Sequence, residues 1–574
     1  MSLPLPPLFA ALRQSLRSGY SWRSLRNDLG AGLTVGIVAI PLAMALAIAV
    51  GVAPQHGLYT VLVAAPLIAL TGGSRFNVSG PTAAFVVILL PITQQFGLGG
   101  LLLCTMMAGT ILIAMGLARF GRLIQFIPYP VTLGFTAGIG IVIATLQVKD
   151  LLGLQLAHPP QNYVEQIGLL ARALPGAHLG DALVALACLG VLLAWPRLVP
   201  KVPGHLVALA VGALLGLALE RMGLPVATLG ERFTYELDGV VHPGIPPLLP
   251  SFAWPWQLPG ASGAPLVLSF ELVRQLLAPA FAIAMLGAIE SLLCAVVSDG
   301  MAGTRHDPNA ELLGQGLGNL VAPLFGGITA TAAIARSAAN VRAGAVSPIA
   351  SVIHAGVVLL AMLLLAPLFS YLPMAALAAL LLMVAWNMSE ARHVAHTLRI
   401  APRNDVLVLL TCLVLTVLFD MVLAVGVGLL LAAGLFIKRM SDLTDALPLP
   451  PRFHQALDGL PEQVMPYVIR GPLFFGVAEK ALSVLRRLNP QVKVVIVEIS
   501  AVPLLDMTAL AAIENLLADY RRQGIGLVLV GTTSRVRLKL RRAGILREEG
   551  RLAYVRDLEQ ARAKALRWLE PQSN

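Results

Sequence analysis

Long apolar stretches separated by short polar ones run along the chain up to about residue 440. Most approach the ~20 residues that a helix needs to cross the hydrocarbon core of a bilayer, and half-helices can be shorter. The pattern predicts roughly fourteen membrane-crossing segments, at 29–50, 57–71, 81–96, 99–118, 128–147, 180–196, 204–219, 277–298, 311–325, 330–342, 347–369, 373–388, 405–420 and 421–437.

Two of these regions are interrupted by glycine, proline and small hydroxyl residues. One contains the run SGPTAA at 79–84, and the other contains TAAIARS at 331–337, where Arg336 is the charged residue. Interrupted segments in matching positions of two halves are typical of a midplane substrate site in an inverted-repeat transporter. The arginine favours an anionic substrate. The alternative is that the small residues only allow helices to pack closely.

The composition is that of a membrane protein. Hydrophobic residues make up 57% of the chain and charged residues 12%, whereas soluble proteins carry about 25% charged residues. The net charge of +11 does not indicate nucleic-acid binding, because the basic residues cluster at the ends of the predicted spans.

Lysine and arginine are concentrated on the N-terminal side of the membrane, which predicts that both ends are cytoplasmic. We expect no cleavable signal peptide in the N-terminal segment 1–28, because the apolar run that follows it is too long for one. The four cysteines lie in apolar runs and predict no disulfide.

After the predicted transport domain, 29–440, the pattern changes to short strands and helices. Prolines mark a linker at 441–461, and the remainder, 462–574, indicates a small α/β domain. Its predicted elements are a strand pair at 464–475, strands at 492–499 and 526–531, and helices at 508–522 and 534–543. It contains no nucleophile–base pair, metal-ligand spacing or phosphate-binding loop, so we expect no enzyme, no metal and no cofactor.

Several motifs resemble those of the sulfate permease (SulP) family of anion transporters, and the resemblance covers nearly the whole chain. The motifs are IPLAMA at 40–45, GLY at 57–59, SGPT at 79–82, ESLL at 290–293, NAEL at 309–312, QGLGN at 315–319 and RSAAN at 336–340. The resemblance implies an all-α membrane domain of fourteen spans in two inverted repeats of seven, followed by a cytoplasmic α/β STAS domain. It also implies a core subdomain that moves against a gate subdomain, and a homodimer.

The resemblance further implies which residues form the site. Spans 3 and 10 would begin as strands and continue as half-helices, whose free N–H groups can hold an anion. An unpaired guanidinium at bilayer depth costs at least ~3 kcal/mol, so Arg336 needs either a bound anion or a permanent carboxylate partner. The expected substrate-binding residues are Thr82, Ala83, Ala84, Thr331, Ala335, Arg336 and Ser337.

Glu290 occupies the position where relatives bind a coupling cation. Glutamate instead of aspartate, with Cys294 one turn later instead of a hydroxyl residue, implies proton coupling, because sodium prefers oxygen ligands. The alternative is that Glu290 pairs with Arg336 or caps a neighbouring helix. Glu311, Gln315 and Asn319 recur at helical spacing, and we interpret them as a packing network around the half-helices.

In the STAS domain, Thr508 occupies the position of the phosphorylatable residue in related anti-sigma-factor antagonists. A phosphate there would lie at a helix N-terminus. The alternative is an ordinary N-cap formed by Thr508 or Asp506. A basic face formed by Arg535, Lys539 and Arg542 predicts contact with anionic lipid or with an acidic cytoplasmic protein.

The resulting hypothesis is proton-coupled import of C4-dicarboxylates (succinate, fumarate, aspartate) by an elevator-like mechanism in a bacterial inner membrane. The dicarboxylate is implied only by similarity to a C4-dicarboxylate transporter of the family. Sulfate or bicarbonate is the alternative substrate. A membrane sensor that signals through its STAS domain is the alternative of another class.

Overall fold

The computed structural model describes residues 8–570 except 123–126, 161, 200–201, 238, 420, 443–444, 450–456, 458, 476 and 487. The chain divides into two compact units, Met1–Leu430 and Leu431–Asn574. Much of the predicted linker at 441–461 therefore lies outside the described residues.

The first unit is mostly helical. Its helices are α1 (Ala10–Arg17), α2 (Trp22–Ala49), α3 (Pro54–Thr71), α4 (Val86–Leu117), α5 (Tyr129–Leu151), α6 (Tyr163–Ala173), α7 (Leu179–Leu198), α8 (Gly204–Arg221), α9 (Leu229–Arg232), α10 (Phe270–Ala302), α11 (Pro308–Val321), α12 (Ile334–Arg342), α13 (Ile349–Phe369), α14 (Met374–Ser389), α15 (Ala391–Ile400) and α16 (Arg403–Leu418). A further helix, α17, begins at Met421 and ends at Asp442. Its short strands are β1 (Ser79–Gly80), β2 (Thr234–Leu237), β3 (Val240–Pro243) and β4 (Thr331–Ala332).

Nine helices in the described part of the chain are long and apolar enough to cross a membrane. This confirms a polytopic, mostly helical membrane domain. The count of fourteen spans stays a prediction, because helices such as α11 and α12 are shorter than a full crossing. The two segments predicted at 81–96 and 99–118 form one helix, α4, whose backbone breaks at Gly97 (φ 68°, ψ −170°).

The two predicted interruptions are both present. β1 is followed by a 3₁₀ turn at Ala83–Phe85 that leads into α4, and β4 is followed by α12. β1 and β4 pair antiparallel, with Ser79 opposite Ala332 and Gly80 opposite Thr331. The segments that precede α4 and α12 therefore meet although they are far apart in sequence.

Glycines allow the helices around this pairing to pack backbone against backbone. A Cβ atom on Gly57 of α3 would lie 1.9 Å from the Ala43 carbonyl oxygen of α2. Gly109 of α4 and Gly316 of α11 face each other, and a Cβ on either would lie within 2.8 Å of the other's carbonyl oxygen. Such close approach is the packing that small residues provide between membrane helices, and it fixes α11 against α4.

The membrane unit is not purely helical. β2 and β3 form an antiparallel hairpin in the loop that precedes α10. The resemblance implied an all-α domain and missed this hairpin, because it lies outside the apolar segments.

The second unit is an α/β domain, as predicted. It contains β5 (Asp445–Pro448), β6 (Val464–Arg470), α18 (Ala478–Arg486), β7 (Val494–Glu498), α19 (Met507–Gln523), β8 (Gly526–Val530), α20 (Ser534–Arg542), β9 (Leu552–Val555) and α21 (Leu558–Leu569). The sheet order is β5-β6-β7-β8-β9, antiparallel between β5 and β6 and parallel elsewhere. Alternate residues face opposite sides: Val495 packs with α18 and α19, and Ile496 packs with α21.

The predicted strand pair at 464–475 is a single strand. β6 ends at Arg470, where Gly471 adopts a positive φ of 91° and Pro472 follows. Its antiparallel partner is β5, which lies in the segment interpreted as linker. The prolines of that segment concealed the strand, because proline is expected only at the edge of a sheet.

Candidate anion site

Two helix starts follow directly after the paired strands β1 and β4. Thr82 and Ala333 immediately precede the two helices in extended conformation, and neither side chain caps the first turn. The first N–H groups of a helix have no partner within the helix, and that end carries partial positive charge. The arrangement therefore offers two sets of N–H donors to a negatively charged group.

Arg336 extends from α12 to the start of the other half-helix. It is only 6% exposed, and its Nη2 donates a hydrogen bond to the Pro81 carbonyl at 2.8 Å. The guanidinium occupies the space beside Gly80, since a Cβ on that glycine would lie 2.6 Å from Nη1. No carboxylate oxygen of the described residues lies within 4.0 Å of the guanidinium. The salt bridge considered as an alternative is therefore not observed in the described part of the chain.

Glu290 lies on α10 beside the first half-helix. Its Oε2 accepts a hydrogen bond of 3.0 Å from the Thr82 hydroxyl. Its neighbours Ile289 and Ser291 are buried, whereas Glu290 is partly exposed. It forms no ion pair with Arg336 in this structure, although both side chains bond to residues at the start of the first half-helix.

The remaining predicted residues divide into two groups. Ala83 and Ala84 form the first turn before α4, and Ala335 presents an exposed side chain at the start of α12. Thr331 and Ser337 are fully buried and already hydrogen-bonded to the protein. The Thr331 hydroxyl donates to the Gly287 carbonyl (3.1 Å), and Ser337 Oγ accepts from the Val78 N–H (2.9 Å). Their hydroxyls attach the second segment to α10 and to the residue before β1.

The polar residues of α11 form the expected packing network. Glu311 Oε2 accepts from the N–H groups of Gly73 and Ser74, both at 3.0 Å. Asn319 is bonded at 2.8 Å to both the N–H and the carbonyl of Ala330. α11 therefore holds the chain before β1 at one end and the chain before β4 at the other.

The sequence interpretation missed two buried residues near this region. Asp28 of α2 is fully buried, and its Oδ1 accepts from the N–H groups of Val346 (2.7 Å) and Ser347 (3.2 Å), just before α13. His354 of α13 is also fully buried. The available signal for Asp28 was a polar residue at the edge of an apolar run, and for His354 it was a polar residue inside one.

The predicted regulatory position lies at the start of α19. Asp506, not Thr508, caps this helix: its Oδ1 accepts from the Ala509 N–H at 2.9 Å, and its Oδ2 accepts from the Phe475 N–H at 2.8 Å. Thr508 is exposed to solvent. Its hydroxyl is thus accessible, and modification remains a prediction.

Comparisons with known proteins identify the family and the fold. Residues 25–412 match the sulfate permease family, and residues 460–561 match the STAS domain. The putative sulfate transporter YvdB of Bacillus subtilis is 40% identical, over 93% of this chain and 96% of its own length. The bicarbonate transporter BicA of Picosynechococcus is 29% identical, over 90% of this chain and 91% of its own. The solved structure of the murine anion transporter Slc26a9 shares the fold, with a TM-score of 0.82 at 17% identity, covering 97% of this chain and 94% of that one.

Proposed function

Because this chain belongs to the sulfate permease family of membrane anion transporters, we propose that it imports C4-dicarboxylates such as succinate, fumarate and aspartate together with protons. Its relatives are transporters, in agreement with the expectation that it is not an enzyme.

The observation that carries the proposal is the guanidinium of Arg336 between two uncapped helix starts. A carboxylate placed there would receive N–H donors from both half-helices and a charge-assisted bond from Arg336. The substrate-binding residues we propose are Thr82, Ala83, Ala84, Thr331, Ala335, Arg336 and Ser337. Of these, Thr331 and Ser337 act by holding the second segment in place, since their hydroxyls bond to Gly287 and Val78 and the Ser337 N–H donates to the Ala333 carbonyl.

Glu290 supplies the proton coupling in this proposal. An ionised Glu290 beside the first helix start repels an incoming dianion, whereas a protonated one does not. Proton and anion binding therefore favour each other, and this mutual preference is what a symporter requires. Cys294, buried one turn later on α10, offers no oxygen ligand to sodium.

Sulfate and bicarbonate are the alternative substrates, since they are the anions in the names of the relatives. The test is uptake of labelled succinate, sulfate and bicarbonate into proteoliposomes with and without an imposed inward proton gradient. We expect gradient-driven accumulation of succinate, which Glu290→Gln abolishes while leaving exchange. The matched control is Glu271→Gln on the same helix, whose exposed carboxylate pairs with Arg274. Accumulation of sulfate or bicarbonate but not succinate would replace the substrate, and gradient-driven accumulation by Glu290→Gln would remove Glu290 from the coupling.

We propose that the protein acts as a homodimer in the bacterial inner membrane with both termini cytoplasmic, and that the core helices shift relative to the gate helices during transport. The rival is a sensor that signals through its STAS domain without net flux. A chain truncated after about residue 445 distinguishes them. Proton-driven uptake by the truncated chain excludes the sensor, whereas absence of flux in the full-length protein favours it.

A further inference from the structure

The chain from residue 8 to residue 26 forms a basic surface that the proposed anion and proton sites do not use. Its four arginines, Arg13, Arg17, Arg23 and Arg26, are all exposed. The same stretch contains no aspartate or glutamate, and no carboxylate elsewhere in the described part of the chain pairs with any of the four. Four positive charges therefore face outward, where a negatively charged partner can reach them. We call residues 8–26 the N-terminal surface.

Large apolar side chains are exposed between these arginines. Leu16 is 54% exposed and Trp22 is 81% exposed, whereas tryptophan is highly buried in most proteins. In α1, the buried residues Ala11 and Ser15 face the protein, and Leu16 and Arg17 lie on its exposed sides. A helix that presents apolar and basic side chains together is typical of a segment that lies in the interface of a membrane.

The N-terminal surface lies where the chain enters the membrane. Trp22 is the first residue of α2, which is 28 residues long and apolar enough to cross a bilayer. Only residues 18–21 separate α1 from α2, so the end of α1 lies within about 18 Å of this point. Tryptophan is enriched at membrane–water interfaces. The layer within reach of the arginines is therefore the lipid headgroups, and anionic headgroups complement their charge.

Hydrogen bonds attach the N-terminal surface to the chain that leads into the proposed anion site. The Phe9 N–H donates to the Thr71 carbonyl at 3.2 Å, and the Ala11 N–H donates to the Gly72 carbonyl at 3.4 Å. The next two residues of that chain are the ones that Glu311 holds before β1. A change in the position of α1 would therefore act directly on the segment that precedes β1.

The other end of the N-terminal surface is attached to the second half of the membrane unit. The Tyr20 hydroxyl donates to Asp28 Oδ2 at 2.9 Å. The same carboxylate accepts from the N–H groups of Val346 and Ser347 before α13. The N-terminal surface is thus bonded to the connection between α3 and β1 and, through Asp28, to the connection between α12 and α13.

We propose that the N-terminal surface is a docking site for anionic phospholipid headgroups, and that this contact holds the chain before β1 in the position that transport requires. The arginines bind the headgroup phosphates, and Leu16 and Trp22 insert between the adjacent acyl chains. The inference rests on the proposed orientation, which assigns the lipid to the cytoplasmic leaflet. It does not depend on which anion is transported.

The first test is binding of phosphatidylglycerol by the purified full-length protein in detergent, with phosphatidylcholine as the neutral comparison. Energy transfer from Trp22 to a dansyl group on the lipid headgroup reports binding, as the difference between each protein and the same protein carrying Trp22→Phe. The variants compared are Arg13→Gln/Arg17→Gln, Arg13→Lys/Arg17→Lys and, as a control that removes two exposed arginines elsewhere, Arg172→Gln/Arg221→Gln. The titration contains no transported anion and no bilayer, so neither the proposed substrate nor the proposed orientation affects its result.

We expect the wild-type protein to bind phosphatidylglycerol more tightly than phosphatidylcholine. A basic residue near an anionic lipid surface contributes about 5-fold to affinity, so the glutamine pair should bind phosphatidylglycerol about 30-fold more weakly. The lysine pair keeps the charge and should bind nearly as wild type, as should the control. Equal wild-type affinity for the two lipids would overturn the proposal, and so would equal affinity of wild type and the glutamine pair for phosphatidylglycerol.

The second test is anion uptake into proteoliposomes made with and without phosphatidylglycerol. Wild type and the lysine pair should transport faster when phosphatidylglycerol is present, whereas the glutamine pair should be equally slow in both. A glutamine pair as fast as wild type in the anionic liposomes would remove the link between the lipid and the chain before β1. A lysine pair as slow as the glutamine pair would assign the arginines to a contact within the protein and overturn the proposal.

Discussion

The Glu311 carboxylate is the most heavily bonded group near the site, and its replacement by glutamine gives a quantitative test. Oε2 accepts from the N–H groups of Gly73 and Ser74, and Oε1 accepts from Asn77 (2.8 Å), Ser291 (3.3 Å) and Gln315 (3.3 Å). Glu311 is 1% exposed. In Glu311→Gln an amide NH₂, which cannot accept a hydrogen bond, replaces one of these oxygens.

If the NH₂ takes the place of Oε2, the N–H groups of Gly73 and Ser74 lose their acceptor; if it takes the place of Oε1, the Asn77 amide loses either this acceptor or, on turning over, its bond to the Ser291 carbonyl. Each such loss costs about 1–3 kcal/mol, so Glu311→Gln should destabilise the fold by about 1–6 kcal/mol. The measurement is the midpoint of thermal unfolding in detergent, which should fall by several degrees. Glu220→Gln, which changes an exposed carboxylate at the end of α8, is the matched control. An unfolding midpoint equal to that of the control would refute the view that this carboxylate holds the chain before β1.

Three further predictions concern the half-helices and the second unit. Arg336→Ala should weaken anion binding well beyond tenfold, measured by titration of the purified protein, since a desolvated charge-assisted bond is lost; an unchanged affinity would locate the anion elsewhere. Gly80→Ala should impair uptake in proteoliposomes because its Cβ would lie 2.6 Å from Arg336 Nη1, whereas Gly356→Ala, which meets nothing within 4 Å, should transport normally. Asp506→Ala should destabilise the domain by about 0.5–2 kcal/mol through loss of the cap, and Thr508→Ala should not; equal denaturant midpoints would contradict this assignment.

Much of the membrane unit was predictable because apolar length and small-residue interruptions are local signals. The run at 331–337 predicted an interruption, and the family resemblance implied a strand followed by a half-helix there, which β4 and α12 confirm. The role of a side chain was harder to predict when its hydrogen-bond partner is distant in sequence. Nothing in the sequence near Thr331 shows that its hydroxyl binds Gly287, or that Asp28 binds Val346.

The STAS domain illustrates a second limit of sequence interpretation. The strands β7 and β8 were evident because all their residues but one are buried and most are β-branched or leucine. The edge strand β5 was missed, because only one side of it needs a partner and its proline-containing sequence is typical of a connection. Asp506 and Thr508 were equivalent candidates for the cap, and only the hydrogen bond to Ala509 distinguishes them.

The hydrogen bonds between β1 and β4, together with the contact from Arg336 to Pro81, connect the two segments that form the proposed anion site. Separating the two segments to release the substrate would break these buried hydrogen bonds and leave their donors and acceptors without partners, which is costly. We therefore expect the pocket to present the same ligands to either compartment, and intrinsic dissociation constants measured from the two faces should be nearly equal. The net direction of transport would then follow from the concentration gradients and the voltage across the bilayer. Transport should reverse when these gradients are reversed.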